Sequence, residues 1–173
     1  LYKKINKVDF QINFQNLSSD GYRDNNNYIR NNAFGYLGYS INDKIKLDFI
    51  YNFINLDSEI PSSLNIDDFN LNPSKAAENW KNVNGNENYK KNLSAISFDY
   101  NSSNYNLIAN IFHNGYRSDE KRPFNFLKET SNGFGSRVVN TITKVNQKFN
   151  FGFEFFRENY LWKTFDNYGT DSE

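Results

Sequence analysis

Apolar and polar residues alternate along this chain with a period of two rather than 3.6, the mark of strands with one apolar and one polar face. Val8, Phe10, Ile12 and Phe14 alternate with Asp9, Gln11, Asn13 and Gln15. Ile45, Leu47, Phe49, Tyr51 and Phe53 alternate with Lys46, Asp48, Ile50 and Asn52, and Phe149, Phe151, Phe153 and Phe155 with Asn150, Gly152, Glu154 and Phe156. Four further strands are expected over residues 29–41, 89–100, 105–111 and 134–145. The last of these is rich in β-branched Val138, Val139, Thr141, Ile142 and Thr143. The seven strands run to roughly 8–13 residues, longer than the five or six usual in soluble sheets.

The connections constrain the fold further. Asn42-Asp43-Lys44, Asn101-Ser102-Ser103-Asn104 and Asn146-Gln147-Lys148 are short and turn-rich. Residues 18–27, 56–88 and 114–133 read as long polar loops, and another begins after Leu161. Short and long links alternate, so a meander of these strands collects its short turns at one end and its long loops at the other. Soluble sandwiches follow no such rule. Transmembrane barrels do, with spanning strands of about 9–11 residues. Alternation alone does not decide, because a half-buried soluble sheet alternates too. Within the longest loop, Asn65 is a candidate cap for a short helix at Ile66. Asn72-Pro73, followed by Ser74, Lys75, Ala76 and Ala77, predicts a second helix reaching Trp80.

Composition narrows the function. Twenty basic and twenty acidic residues cancel, which removes any global attraction to nucleic acid. The absence of cysteine and the single His113 exclude disulfides, thiolate chemistry and His-cluster metal sites. No nucleotide-binding loop is present: Gly133-Phe134-Gly135 opens a strand rather than a helix. No apolar run is long enough for a transmembrane helix. The chain opens at Leu1 with neither methionine nor a signal-peptide pattern, so it reads as an internal segment of a longer protein. Its 17 Phe, 12 Tyr and 2 Trp are unusual in so polar a chain. Tyr28, Tyr39, Tyr51, Tyr89, Tyr100, Tyr105, Tyr160 and Trp162 lie near strand ends, where a barrel carries its aromatic girdles. The 32 asparagines suit turns and a polar lumen.

Several short motifs occur in a familiar order: Asp20-Gly21-Tyr22-Arg23, Ile60-Pro61-Ser62-Ser63-Leu64, Asn72-Pro73-Ser74-Lys75-Ala76-Ala77 and Glu120-Lys121-Arg122-Pro123-Phe124-Asn125. Together they resemble the barrel portion of TonB-dependent outer-membrane receptors, especially iron–siderophore receptors of Bacteroidetes type. The resemblance extends over nearly the whole chain, without the plug domain or the TonB box. It implies an antiparallel up-and-down transmembrane β-barrel segment of about seven strands, out of the 22 such barrels contain. It also implies residence in the outer membrane of a Gram-negative bacterium and TonB-energised uptake of a ferric siderophore or similar chelate. The TonB complex would be engaged through the missing plug, and no cofactor or covalent chemistry is implied. Lys46, Asp48, Asn52, Asn150, Glu154 and Glu158 are expected to face the lumen.

The candidate ligand contacts are Trp80, Tyr116, Arg117 and Arg122, from the two longest loops. Cations beside aromatics suit an anionic chelate. The plainer reading has Phe124 and Phe126 anchoring a loop whose charges face water, with Trp80 packing its helix onto the wall. His113 reads as a polar residue at a strand end on the barrel rim. Asp67-Asp68 and Asp119-Glu120 read as solvated loop charge, since neither has the spacing of a calcium loop. The alternatives are a glycan importer, a passive porin, or a soluble β-sandwich glycan-binding module.

Overall fold

The computed structural model describes residues 1–166. Among them, eight strands form a single antiparallel sheet in sequence order: β1 (Tyr2–Ile5), β2 (Val8–Ser19), β3 (Tyr28–Ser40), β4 (Ile45–Glu59), β5 (Asn86–Asn101), β6 (Tyr105–Lys121), β7 (Phe126–Lys144) and β8 (Gln147–Phe165). Two short helices, α1 (Ile66–Leu71) and α2 (Glu78–Asn82), lie in the β4–β5 connection. The seven expected strands are present. The eighth, β1, is closed onto β2 by the two residues 6–7, with Asn6 in the left-handed conformation at φ 52°. Asparagine tolerates that conformation well.

Register runs unbroken from β2 to β8, so each row of paired residues lies on one face. One row is Phe10–Leu37–Phe49–Ile96–Ile111–Ser136–Phe155, and the row beside it is Val8–Tyr39–Leu47–Phe98–Ala109–Val138–Phe153. The opposite face carries Asp9–Gly38–Asp48–Ser97–Asn110–Arg137–Glu154. Lys46, Asp48, Asn52, Asn150, Glu154 and Glu158 all fall on this polar face, in the expected phase. The polar face is also the concave one: a hollow of about 480 Å³ reaches across it from Tyr36 on β3 to Arg137 on β7.

There is almost no interior. Ala76 and Leu127 are the only buried apolar residues among those described, whereas Phe14 is 69% exposed and Phe153 68%. An apolar face this wide and bare is far larger than soluble monomers leave in water. The bare face has an upper limit. On β4 it runs from Ile45 to Phe53, after which Asn55 and Asp57 take the same positions. Nine residues of apolar phase match what a tilted strand needs to cross a bilayer core.

Four expectations are corrected here. Residues 114–133 are not a long loop: β6 and β7 continue pairing to Lys121 and Phe126, and only residues 122–125 turn. The turn closes with the Arg122 amide donating to the Asn125 carbonyl at 2.9 Å. Polar composition suggests a loop, but strands that rise beyond an apolar band can be polar on both faces. His113 accordingly lies within β6 rather than at a strand end, on the convex face beside Asn132 at 3.4 Å. The aromatic positions also divide by parity. Tyr39, Tyr51, Tyr100 and Tyr105 share the apolar face, while Tyr28, Tyr89, Tyr160 and Trp162 share the concave one. The segment after Leu161 is still strand as far as Phe165, and the expected loop beyond it lies outside the described residues.

At the short-turn end, polar groups tie β1–β4 together on the concave face. Lys46 lies 3.5 Å from Asp9 and 3.0 Å from Asp48, and Lys4 approaches Asp9 at 3.9 Å. The Tyr36 hydroxyl donates to Asp48 and accepts from Lys46 at 2.7 Å. Asp9 is nearly buried by these neighbours, and a one-residue slip would send every member to the opposite face.

Candidate ligand-facing site at the loop end

Two connections at the other end fold together into a cap. Residues 20–27 and 60–85 are joined by backbone bonds from Asp24 to the Ser74 carbonyl at 2.8 Å and from Glu59 to the Asn27 carbonyl at 2.9 Å. Within the second segment, the Ala77 amide donates to the Pro61 carbonyl at 2.8 Å and Ile60 to the Gly85 carbonyl at 2.9 Å. Arg23 is the principal fastener. Its guanidinium donates to the carbonyls of Lys75 at 3.0 Å, Ser62 at 2.5 Å and Pro61 at 3.4 Å. Asn25 donates to the carbonyls of Ile60 and Gly85 at 2.8 and 3.0 Å, and Lys81 pairs with Asp24 at 2.8 Å.

The helices differ in part from expectation. Asn65 caps α1 as its residue type suggested, accepting from the Asp68 amide at 2.8 Å. Asp67 and Asp68 fall in the first turn, where the helix dipole favours them. Lys75 bonds Asp68 at 2.9 Å and holds its carboxyl below the ordinary aspartate range. Asn72, however, ends α1 instead of opening a helix. Its side chain accepts from the Ser74 amide at 3.2 Å and hydroxyl at 2.7 Å, a local turn that competes with helix. The bond from Ala77 to Pro61 then keeps the chain extended with Ala76 fully buried, so the helix that contains Trp80 begins only at Glu78.

The four predicted contact residues do not converge. Trp80 packs over Gly85, where an added Cβ would lie 2.4 Å from the indole ring and 3.3 Å from the Lys121 carbonyl. It thus packs its helix back onto the end of its own connection, where Gly85 leads into β5. Tyr116 pairs with Lys91 and Ser131 and faces the concavity, with its ring 6.0 Å from that of Tyr89. Arg117 is the next residue along β6 and therefore faces the convex side, 3.9 Å from Asp119. Arg122 lies at the hairpin tip, folded onto Glu120, whose carboxylate holds the guanidinium charged even more firmly than usual.

The concave wall at this end carries polar groups that sequence did not single out. Glu87, Glu120 and Glu129 face inward from β5, β6 and β7. Ser118 donates to Glu87 at 3.3 Å, and the Tyr160 hydroxyl donates to Glu129. Arg30 and Lys91 face the same side across Ile54 and Leu56. Parity places Ser118, Glu120 and Glu129 once residues 114–133 are strand, and Glu87 once β5 begins at Asn86. Among the described residues, no three acidic or histidine side chains gather closely enough to hold a metal ion.

No protein-family model matches the sequence, and no curated protein matches it. In fold the chain is similar to the ferric citrate transporter FecA, in the crystal structure of its unliganded form. The TM-score is 0.79 at 8% identity, over 93% of this chain and 25% of that one. The fold is that of a barrel wall. The chain spans about a quarter of the transporter's length, and the likeness extends to its curved antiparallel meander.

Proposed function

We propose that this chain is part of the barrel of a TonB-dependent outer-membrane receptor for a ferric siderophore or similar chelate, eight strands of about twenty-two. The observation that carries this reading is the two-faced sheet: a bare apolar convex face about nine residues tall beside a concave face of charge and amide. The fold likeness to a ferric citrate transporter and the ordered loop motifs support it. Ligand arrives at the loop end, under the cap of residues 20–27 and 60–85. Tyr89 and Tyr116 supply aromatic contact there, and Arg30 and Lys91 offer charge to an anionic chelate. The pull from TonB acts through a plug that this chain does not include.

Uptake of radiolabelled iron tests the proposal in cells that make the intact protein. Ferric chelate should enter when TonB is energised and stop when it is not. Uptake indifferent to TonB would make the barrel a passive porin, and TonB-dependent uptake of an oligosaccharide with no iron uptake would make it a glycan importer. An intact protein that stays soluble and monomeric without detergent would make the sheet part of a soluble module.

A further inference from the structure

The concave wall beneath the cap sorts its charges by strand. One row of paired residues runs Leu17, Arg30, Leu56 and Tyr89 from β2 to β5, then Ser118, Glu129 and Trp162 from β6 to β8. The next inward-facing row below sets Asn32, Ile54 and Lys91 beside Tyr116. The one above sets Glu87 directly opposite Glu120. The cations thus stand on β3 and low on β5, and the carboxylates high on β5 and on β6 and β7.

The two halves differ in what already holds their charges. Among the described residues, Arg30 and Lys91 make no side-chain hydrogen bond and no ion pair, and the Arg30 Nε is buried without an acceptor. A guanidinium set between Leu17 and Leu56 is costly to leave unmatched, so it calls for an anion from outside the wall. The carboxylates are positioned by hydroxyls instead. Ser118, itself 1% exposed, donates to Glu87 at 3.3 Å, and Tyr160 donates to Glu129. Arg122 folds onto Glu120 and matches that third charge. Beside Glu87 and Glu129 stand the rings of Tyr89 and Tyr116, 6.0 Å apart. Carboxylates next to tyrosine rings suit an organic ammonium, through charge-assisted hydrogen bonds and cation–π contact.

We infer that the captured ligand is dipolar, with an anionic iron-binding end against Arg30 and Lys91 and an ammonium group against Glu87 and Glu129. A chelate anionic throughout would meet carboxylates over half of this wall. A wholly cationic one would leave Arg30 and Lys91 unmatched. Arg30 and Glu129 are separated by four strand spacings, about 19 Å along their row, and Lys91 and Glu87 by about 13 Å of one strand. The ligand's two charges are therefore on the order of 10–20 Å apart, and it lies across the wall in one direction. The inference rests on the receptor reading above and adds to it the ligand's second charge and its orientation.

The test uses the intact protein in detergent and two ferric complexes that differ in one charge. One is formed by a tris(catecholate) chelator carrying a primary amine, the other by the same chelator N-acetylated. The amine complex should bind roughly tenfold more tightly, the gain a charge-assisted hydrogen bond supplies. E87Q/E129Q should abolish that preference by weakening the amine complex alone. R30Q/K91Q should weaken both complexes by the same factor and keep their ratio. Glutamine still accepts from Ser118 and Tyr160, so E87Q/E129Q should melt with the parent, and the comparison on the parent needs no variant at all. Equal affinity for the two complexes, or a preference that survives E87Q/E129Q, would overturn the inference and leave the receptor reading standing. So would a protein that binds ferric citrate but neither catecholate complex. A protein that binds no ferric chelate of the three loses the receptor reading itself, and this inference with it.

Discussion

Residues 60–85 and 122–125 close neighbouring strand pairs at the same end of the sheet, yet they are built on opposite principles. The first is a cap with two helices, fastened to residues 20–27 by Arg23 and Asn25. The second is a four-residue turn at the end of a hairpin whose strands reach 17 and 19 residues. The cap satisfies its backbone through side chains borrowed from another connection, whereas the hairpin satisfies its own through ladder pairing. A cap of the first kind can open as a unit if one fastener is removed. A hairpin can only fray from its tip.

Removing Arg23 should have the largest effect. Arg23→Ala deletes a guanidinium bonded to three carbonyls, costing roughly 3 kcal/mol of local stability. Hydrogen exchange at the Ala77 and Ile60 amides should accelerate by about a hundredfold, with amides near Ser118 and Ser131 unchanged. Acceleration spread evenly over cap and hairpin would erase the distinction. Gly85→Ala comes next, because its Cβ would meet the Trp80 ring at 2.4 Å. Overpacking of this kind costs about 1–3 kcal/mol, and Trp80 emission, read in a Trp162→Phe background, should shift to the red.

Smaller effects are expected at the hairpin tip. Glu120→Gln removes the partner of Arg122, a partly exposed pair worth up to about 1 kcal/mol. Exchange at the Asn125 end should rise slightly while β6–β7 pairing holds; cooperative loss of the hairpin would contradict its self-sufficiency. The smallest effect is electrostatic. Lys75 lowers the pKa of Asp68, so their pair steadies α1 at neutral pH and is lost as pH falls through that depressed value. Carboxyl resonances should place Asp68 below ordinary aspartates, and Lys75→Ala should bring it back up. Titration in the ordinary range in both proteins would remove the pair from the account.

Much of this architecture was legible from parity. Phe10, Phe49 and Phe151 announce the apolar face, and Lys46, Asp48 and Glu154 the polar one, because a strand's two faces cannot exchange without a slip. What parity could not show was where strands end. Above the apolar band both faces of β6 and β7 are polar, so Tyr116, Arg117 and Ser118 looked like loop. That error hid the split between Tyr116 and Arg117, which face opposite sides, and with it the inward Glu120 and Glu129; the early start of β5 at Asn86 hid Glu87 in the same way. Asn72-Pro73 misled for a related reason: the same residues suit a helix start and an Asx turn, and the distant bond from Ala77 to Pro61 chose between them. Asn65 read correctly because its cap needs only a residue three positions away.

The central claim is that the convex face meets lipid up to a fixed height and water above it. The chain contains no cysteine, so single-cysteine spin labels can be walked along β6 from Leu107 to Asp119 in the intact protein, reconstituted in bilayers. Collision with oxygen should dominate at Leu107, Ala109 and Ile111, and collision with a water-soluble nickel chelate at Ile108, Asn110 and Phe112. Arg117 and Asp119, although in phase with the lipid-facing set, should favour the nickel chelate. Uniform water accessibility at Leu107, Ala109 and Ile111, with no alternation of period two, would contradict the account.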